Sequence, residues 1–139
     1  MLLSKRIQVL SPSLTLAITA LARDLKAQGR DVLSFSAGEP DFDTPKVVKD
    51  AAIAAINSGF SKYTAVAGTP EVLKAIAGKL KRENNLEYKP SDIVVNVGAK
   101  HSLFNIFQAI IDDSDEVIIP SPYWVTYPEI VKYCGGEPV

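Results

Sequence analysis

The chain is poor in the residues that build metal centres and covalent cross-links: it has one cysteine, Cys134, and one histidine, His101. A lone cysteine has no internal partner, and no Cys/His set with zinc-ligand spacing can be assembled. Disulfide scaffolds and zinc modules are therefore excluded, no metal is expected, and Cys134 reads as a buried, inert thiol. An excess of one charge is also lacking, since 15 Lys and Arg stand against 16 Asp and Glu with no block of either sign. That removes the basic stripe of a nucleic-acid binder and the polybasic patch of a membrane-surface protein, leaving small molecules or other protein chains as partners. No apolar run approaches the roughly 18 residues of a membrane-spanning helix. Residues 1–10 carry two basic side chains but neither the apolar core nor the small-residue cleavage site of a secretory signal, so a cytoplasmic location is expected.

What is present suits a folded core: 139 residues, 47% hydrophobic and 22% charged. Ser11-Pro12-Ser13 opens a helix whose apolar residues Leu14, Ile18, Leu21 and Leu25 recur at helical spacing until Gly29. Thr44-Pro45 and Thr69-Pro70-Glu71 repeat that start, because a hydroxyl can cap free N–H groups and proline is pre-set for the first turn. The helices they predict end at Ser58-Gly59 and Asn84-Asn85. Val32-Leu33-Ser34-Phe35 reads as a short extended piece. Ile93-Val-Val-Asn-Val97 and Val117-Ile118-Ile119 are β-branched runs between turn residues, as in mostly buried strands. Helical spacing returns from Lys100 to Ile111 and from Trp124 to Tyr133. Strand, helix, strand, helix predicts an α/β sheet with covering helices. Glu137-Pro138-Val139 resembles the start of a third strand, and so small a sheet leaves edges unpaired. The expectation is the front part of a longer protein, or a chain that folds only with something else.

The informative stretch is Asn96-Val-Gly-Ala-Lys-His-Ser-Leu-Phe-Asn-Ile-Phe107, a strand passing through a glycine turn into a helix. The first N–H groups of a helix lack internal partners and the dipole places positive charge there, so such a turn can hold a phosphate. A plain turn is the other reading of Gly98. The G-x-G-x-x-G and G-x-x-x-x-G-K-[ST] spacings are absent, which weakens a dinucleotide or P-loop site. Lys100, in the first turn, opposes the dipole, which favours service to an anionic ligand over service to the helix; a solvated lysine is the alternative. Trp124 follows the end of an expected strand, where ligands of α/β sheets gather, and its indole could stack on a ligand ring or pack in the core. Tyr63 could donate its phenol to a phosphate, and Gly38 could offer a backbone N–H to a carboxylate, though each also reads as ordinary loop. His101 has no nucleophile or third group with which to build a triad, and Asp41 and Asp43 border a helix start that they serve electrostatically.

Ser36-Ala-Gly-Glu-Pro-Asp-Phe-Asp-Thr-Pro45, Lys62-Tyr-Thr64, Gly68-Thr-Pro-Glu71, Val97-Gly-Ala-Lys100 and Ser121-Pro-Tyr-Trp124, in this order, resemble the N-terminal part of class I pyridoxal-phosphate aminotransferases. The likeness is strongest to bacterial-type aspartate aminotransferases, including those that accept prephenate. It implies the fold-type I transferase fold, here incomplete, with residues 1–45 as arm, small-domain helix and substrate loop and residues 46–139 as the start of the large cofactor domain. It implies that Gly98, Ala99 and Lys100 hold the phosphate of pyridoxal 5′-phosphate and that Trp124 stacks on its ring and faces substrate. Tyr63 would reach the phosphate of the neighbouring subunit in a homodimer. Gly38 would meet the substrate α-carboxylate, and Ser13, Thr15 and Lys100 the distal carboxylate of a dicarboxylic amino acid or 2-oxo acid. The Schiff-base lysine of the family has no counterpart in these residues, because Lys100 matches a position beside the phosphate. The isolated chain is therefore expected to be inactive. The rival expectation is a non-catalytic truncated paralogue acting as a binding or dimerisation module.

Overall fold

The computed structural model describes residues 3–139, whose regular structure is mostly helical. A single turn, α1 (Lys5–Gln8), precedes α2 (Leu14–Ala27). The Ser13 side chain caps α2, its oxygen accepting the Leu16 N–H at 3.4 Å, which satisfies one of the orphan donors of the first turn. α3 (Lys46–Asn57) departs from expectation, because Pro45 and not Thr44 occupies the cap position and no side chain bonds the first turn. α4 (Pro70–Asn84) follows the expected design: Thr69 Oγ1 accepts the Val72 N–H at 3.4 Å, Pro70 begins the helix, and Asn85 leaves it in the left-handed conformation. α5 (Gly98–Ile110) and α6 (Thr126–Tyr133) complete the helices. Pro128 is tolerated because it lies in the first turn of α6, where its missing N–H would have had no helical acceptor.

The strands are shorter than their sequence suggests. Residues 93–97 form no strand: they follow a 3₁₀ turn at Pro90–Asp92 and belong to no sheet among the described residues. One backbone bond, Val95 N–H to Ala67 O at 2.8 Å, ties them to the loop before α4. Nor is the run buried, since Val94 and Val97 are exposed. β-branching favours extended backbone, but a strand exists only where a neighbour pairs with it. Val32-Leu33-Ser34-Phe35 likewise joins no sheet among the described residues. The run at 117–119 contracts to β1 (Glu116–Val117), exposing Ile118, and pairs in parallel with β2 (Glu137–Pro138). Glu137 N–H bonds Asp115 O at 2.7 Å and Val139 N–H bonds Val117 O at 2.9 Å. Pro138, which has no N–H, falls between these two donors and costs the ladder nothing. The α/β class is thus represented by one parallel β1–α6–β2 unit.

Two compact units divide the chain: the described part of Met1–Asp41 with Lys100–Val139, and Phe42–Ala99. The core of the first lies under α6, where Val131 is fully buried and Ile130 nearly so. Phe104 of α5 meets Tyr133 of α6 with ring centroids 5.4 Å apart. Beside them Gln108 Nε2 donates to Cys134 Sγ at 3.3 Å. Burial pushes the Cys134 thiol up, outweighing that bond, so it stays protonated at neutral pH. In the second unit α4 packs on the 3₁₀ turn.

Candidate functional site

Within the first unit a cleft of about 410 Å³ is lined by Ser13, Thr15, Lys100 and Trp124, together with Ser11 and Glu129. Each is placed by local chemistry. Ser13 is the α2 cap; its oxygen is engaged by the Leu16 N–H, which leaves its hydroxyl proton to donate. Thr15 lies in the first turn of α2 and is half-buried. Lys100 lies in the first turn of α5, and Trp124 directly precedes α6 and its cap. The Lys100 ammonium sits 6.0 Å from the centroid of the Trp124 ring, at the outer edge of a cation–π contact. No ion pair among the described residues includes Lys100. A cation at a helix N-terminus gains nothing from the dipole, so an anion in this cleft would be its natural counter-charge.

Glu129, in the first turn of α6, closes the cleft. Its Oε2 accepts the Ser11 N–H at 2.8 Å and its Oε1 accepts Lys132 Nζ at 3.2 Å. The sequence does not flag this residue. An acid in a first helical turn reads as a complement to the dipole, and a bond to a residue 118 positions away leaves no local signature.

Gly98 enters α5 at φ 78°, a left-handed conformation that favours glycine, while a Cβ there would meet nothing within 4 Å. Conformation and not crowding is therefore the reason for glycine. Ala99 and Lys100 continue the first turn, whose N–H groups have no intrahelical acceptors. A 13-residue helix entered through such a glycine, with a lysine in its first turn that joins no ion pair among the described residues, has the donor set that suits a phosphate. Trp124, 51% exposed, retains open ring surface for an aromatic ligand. Within the first unit, the ammonium of Lys100 and the open ring of Trp124 have the chemistry that suits the phosphate and the ring of pyridoxal phosphate. Gly38 is exposed and is not among the residues lining the cleft. Tyr63 is in the second unit, fully exposed, in a shallow recess with Ser61 and Lys62. His101 is exposed. No cluster of three or more His, Cys, Asp or Glu among the described residues could hold a metal ion. No helix among them is long and apolar enough to cross a membrane.

A parallel strand–helix–strand unit with an aromatic residue beyond a strand end is of the α/β class. Comparison with known proteins makes this specific. The family model for aminotransferase class I and II matches residues 30–139, and the chain belongs to this family. It is 57% identical over 139 residues to an aspartate aminotransferase of Bacillus subtilis, covering all of this chain and 35% of that protein. The identity to an aspartate/prephenate aminotransferase of Nitrosomonas europaea is also 57%, with the same coverage. Among solved structures, the aspartate aminotransferase of Thermus thermophilus with maleate superposes with a TM-score of 0.96 at 51% identity, over all of this chain and 36% of that one. The fold is thus that of the corresponding part of these aminotransferases. The chain spans about a third of the length of the relatives it matches. Class I aminotransferases imply pyridoxal phosphate as cofactor and amino acids and 2-oxo acids as substrates.

Proposed function

We propose that residues 1–139 serve in a pyridoxal-phosphate-dependent aminotransferase that moves an amino group between aspartate and a 2-oxo acid such as 2-oxoglutarate. The observation that carries this is the convergence of Ser13, Thr15, Lys100 and Trp124 on one cleft. One ammonium and two hydroxyls can satisfy both oxygens of a distal carboxylate by charge-assisted hydrogen bonds. The solved Thermus relative carries maleate, a dicarboxylate, which supports a dicarboxylic substrate here. Gly98, Ala99 and Lys100 would hold the cofactor phosphate, and Trp124 would cover one face of its ring and exclude water from it. Bound there, the cofactor supplies the electron sink that lets an amino acid lose its α-proton. Gly38 would orient the α-carboxylate through its backbone, and Tyr63 would donate to the phosphate held by the second subunit of a homodimer. Residues 1–45 would belong to the arm, small domain and substrate loop, and residues 46–139 to the large domain. The lysine that binds the cofactor covalently is assigned to none of these residues, so their part is to bind and orient, in an enzyme of the cytoplasm.

The test is substrate preference in the complete, cofactor-loaded enzyme. Lys100→Met removes a charge-assisted bond worth a factor of about ten to a hundred. The ratio of kcat/KM for aspartate to that for alanine should fall by about that factor, since any loss through the cofactor phosphate is common to both substrates and cancels in the ratio. An unaltered ratio would remove Lys100 from the distal carboxylate.

A further inference from the structure

We infer that Glu129 is a positioning residue: by accepting the Ser11 N–H it holds the arm that carries Ser13 and Thr15 over the cleft shared with Lys100 and Trp124. This rests on the dicarboxylate reading above and adds to it the residue that fixes the geometry of that subsite.

The tie is a single backbone donor. Ahead of α2, the Leu10 N–H is used locally by Ile7 O at 3.2 Å and Pro12 has none, so the Ser11 bond to Glu129, at 2.8 Å, anchors this approach to α6. From Ser11 to Ser13 the chain advances at most about 7 Å, at 3.3–3.6 Å per residue, and the intervening Pro12 has its φ fixed by its ring. Ser11 thus passes its position to Ser13 through a stiff link. Ser13 in turn caps α2, and Thr15 lies in the turn so capped. The other end of the tie is equally constrained. Glu129 belongs to the same helix as buried Ile130 and Val131, and Lys132 Nζ holds its second oxygen at 3.2 Å.

Charge explains why a carboxylate is tolerated in a cleft that receives carboxylates. Left alone, Glu129 would repel the ligand. Engaged by Lys132 and the Ser11 N–H, with its side chain 25% exposed, it has its charge compensated within the wall. Lys100 remains the cation without a carboxylate partner among the described residues, and so the one that the ligand meets.

The experiment uses the complete, cofactor-loaded enzyme and three variants: Glu129→Ala, Glu129→Gln and Ser11→Pro. Ser11 precedes a proline and is already biased to extended backbone, so Ser11→Pro removes the donor while leaving the Glu129–Lys132 pair intact. Three readouts are taken: KM and kcat for aspartate, the inhibition constant of maleate, and deuterium uptake over residues 10–16. Glu129→Ala should raise KM and the maleate constant by about tenfold or more, leave kcat within about threefold, and speed deuterium uptake in that segment. Ser11→Pro should reproduce the binding defect, and the double variant should add less than about twofold, because both changes break one bond. Glu129→Gln keeps an acceptor oxygen and should stay within about threefold of the parent. Unchanged maleate binding in Glu129→Ala overturns the inference, as does weakened binding without faster exchange in residues 10–16. If Glu129→Ala does not fold, Ser11→Pro decides by the same criteria. A parent enzyme that maleate does not inhibit would instead remove the dicarboxylate reading, and the inference with it.

Discussion

Gly135 shows how much can rest on one residue without a side chain. It leaves α6 at φ 95°, its N–H bonds Lys132 O at 3.1 Å, and the next N–H, of Gly136, bonds Val131 O at 3.0 Å. This pair of closures is the Schellman arrangement, which satisfies carbonyls the helix would otherwise orphan and requires a left-handed residue between them. A Cβ at Gly135 would also lie 2.2 Å from Asp113 Oδ1 and 3.4 Å from Asp113 Cα. The carboxylate could swing aside, but the backbone conformation would stay strained. Gly135→Ala should therefore cost about 1–3 kcal/mol, read as a lowered thermal midpoint of the complete protein. Gly98 differs in kind, since its φ is left-handed but the space beside it is open, leaving only the conformational term. A Gly135→Ala variant that melts with the parent would show that the α6 exit can relax into another turn.

The elements were legible where their signal is local. Ser13 and Thr69 cap their helices as a hydroxyl ahead of an apolar repeat should, because donor and acceptor lie within three residues. Thr44 fails the same rule, since Pro45 takes the cap position and Asp43 supplies the charge, paired with Lys49 and the Thr44 backbone. The strands were not legible, because Ile93 to Val97 carries the right residues but sheet membership depends on long-range pairing that no local pattern specifies. The cleft followed the same division. Lys100 and Trp124 are marked by their places at a helix start and beyond a strand end, Ser13 and Thr15 only by the likeness to a family, whereas Glu129 depends on a long-range bond. The start of α3 allows a pH test. Lys49, first, and the Thr44 N–H, second, hold the Asp43 carboxyl below the usual aspartate range. A depressed folded value means that the stabilisation is complete above the unfolded value, near 3.9, and is lost as pH falls through the lower folded one. The amides of residues 44–49 should be insensitive to pH from neutrality to about 4 and shift only below it. The effect should shrink in high salt, because both side chains face solvent. A midpoint for Asp43 at or above the ordinary aspartate value would show that the pair does not persist in solution.

At the scale of the whole chain, the exposed surface exceeds what a folded monomer of this size presents. The 139 residues present 11804 Å² to solvent, whereas a folded monomer of 15.0 kDa should present about 7,000 Å². Only Ala22, Ile130 and Val131 are buried among the apolar side chains described, while Phe35, Phe42, Leu33 and Ile118 are at least 80% exposed. So small a core does not offset the entropy of ordering the chain. The excess is of the size that obligate interfaces bury, and the chain spans about a third of the length of the relatives it matches. Expressed alone at micromolar concentration, residues 1–139 should bind a hydrophobic dye, unfold without a sharp transition and self-associate in sedimentation. The complete enzyme should do none of these. A second copy of the same segment could also cover part of this surface, and then the isolated chain would sediment as a discrete dimer that excludes the dye. A monomer that excludes the dye and melts cooperatively would show instead that helices packed around Val131 suffice, and that the exposed faces serve some other purpose than joining the rest of the fold.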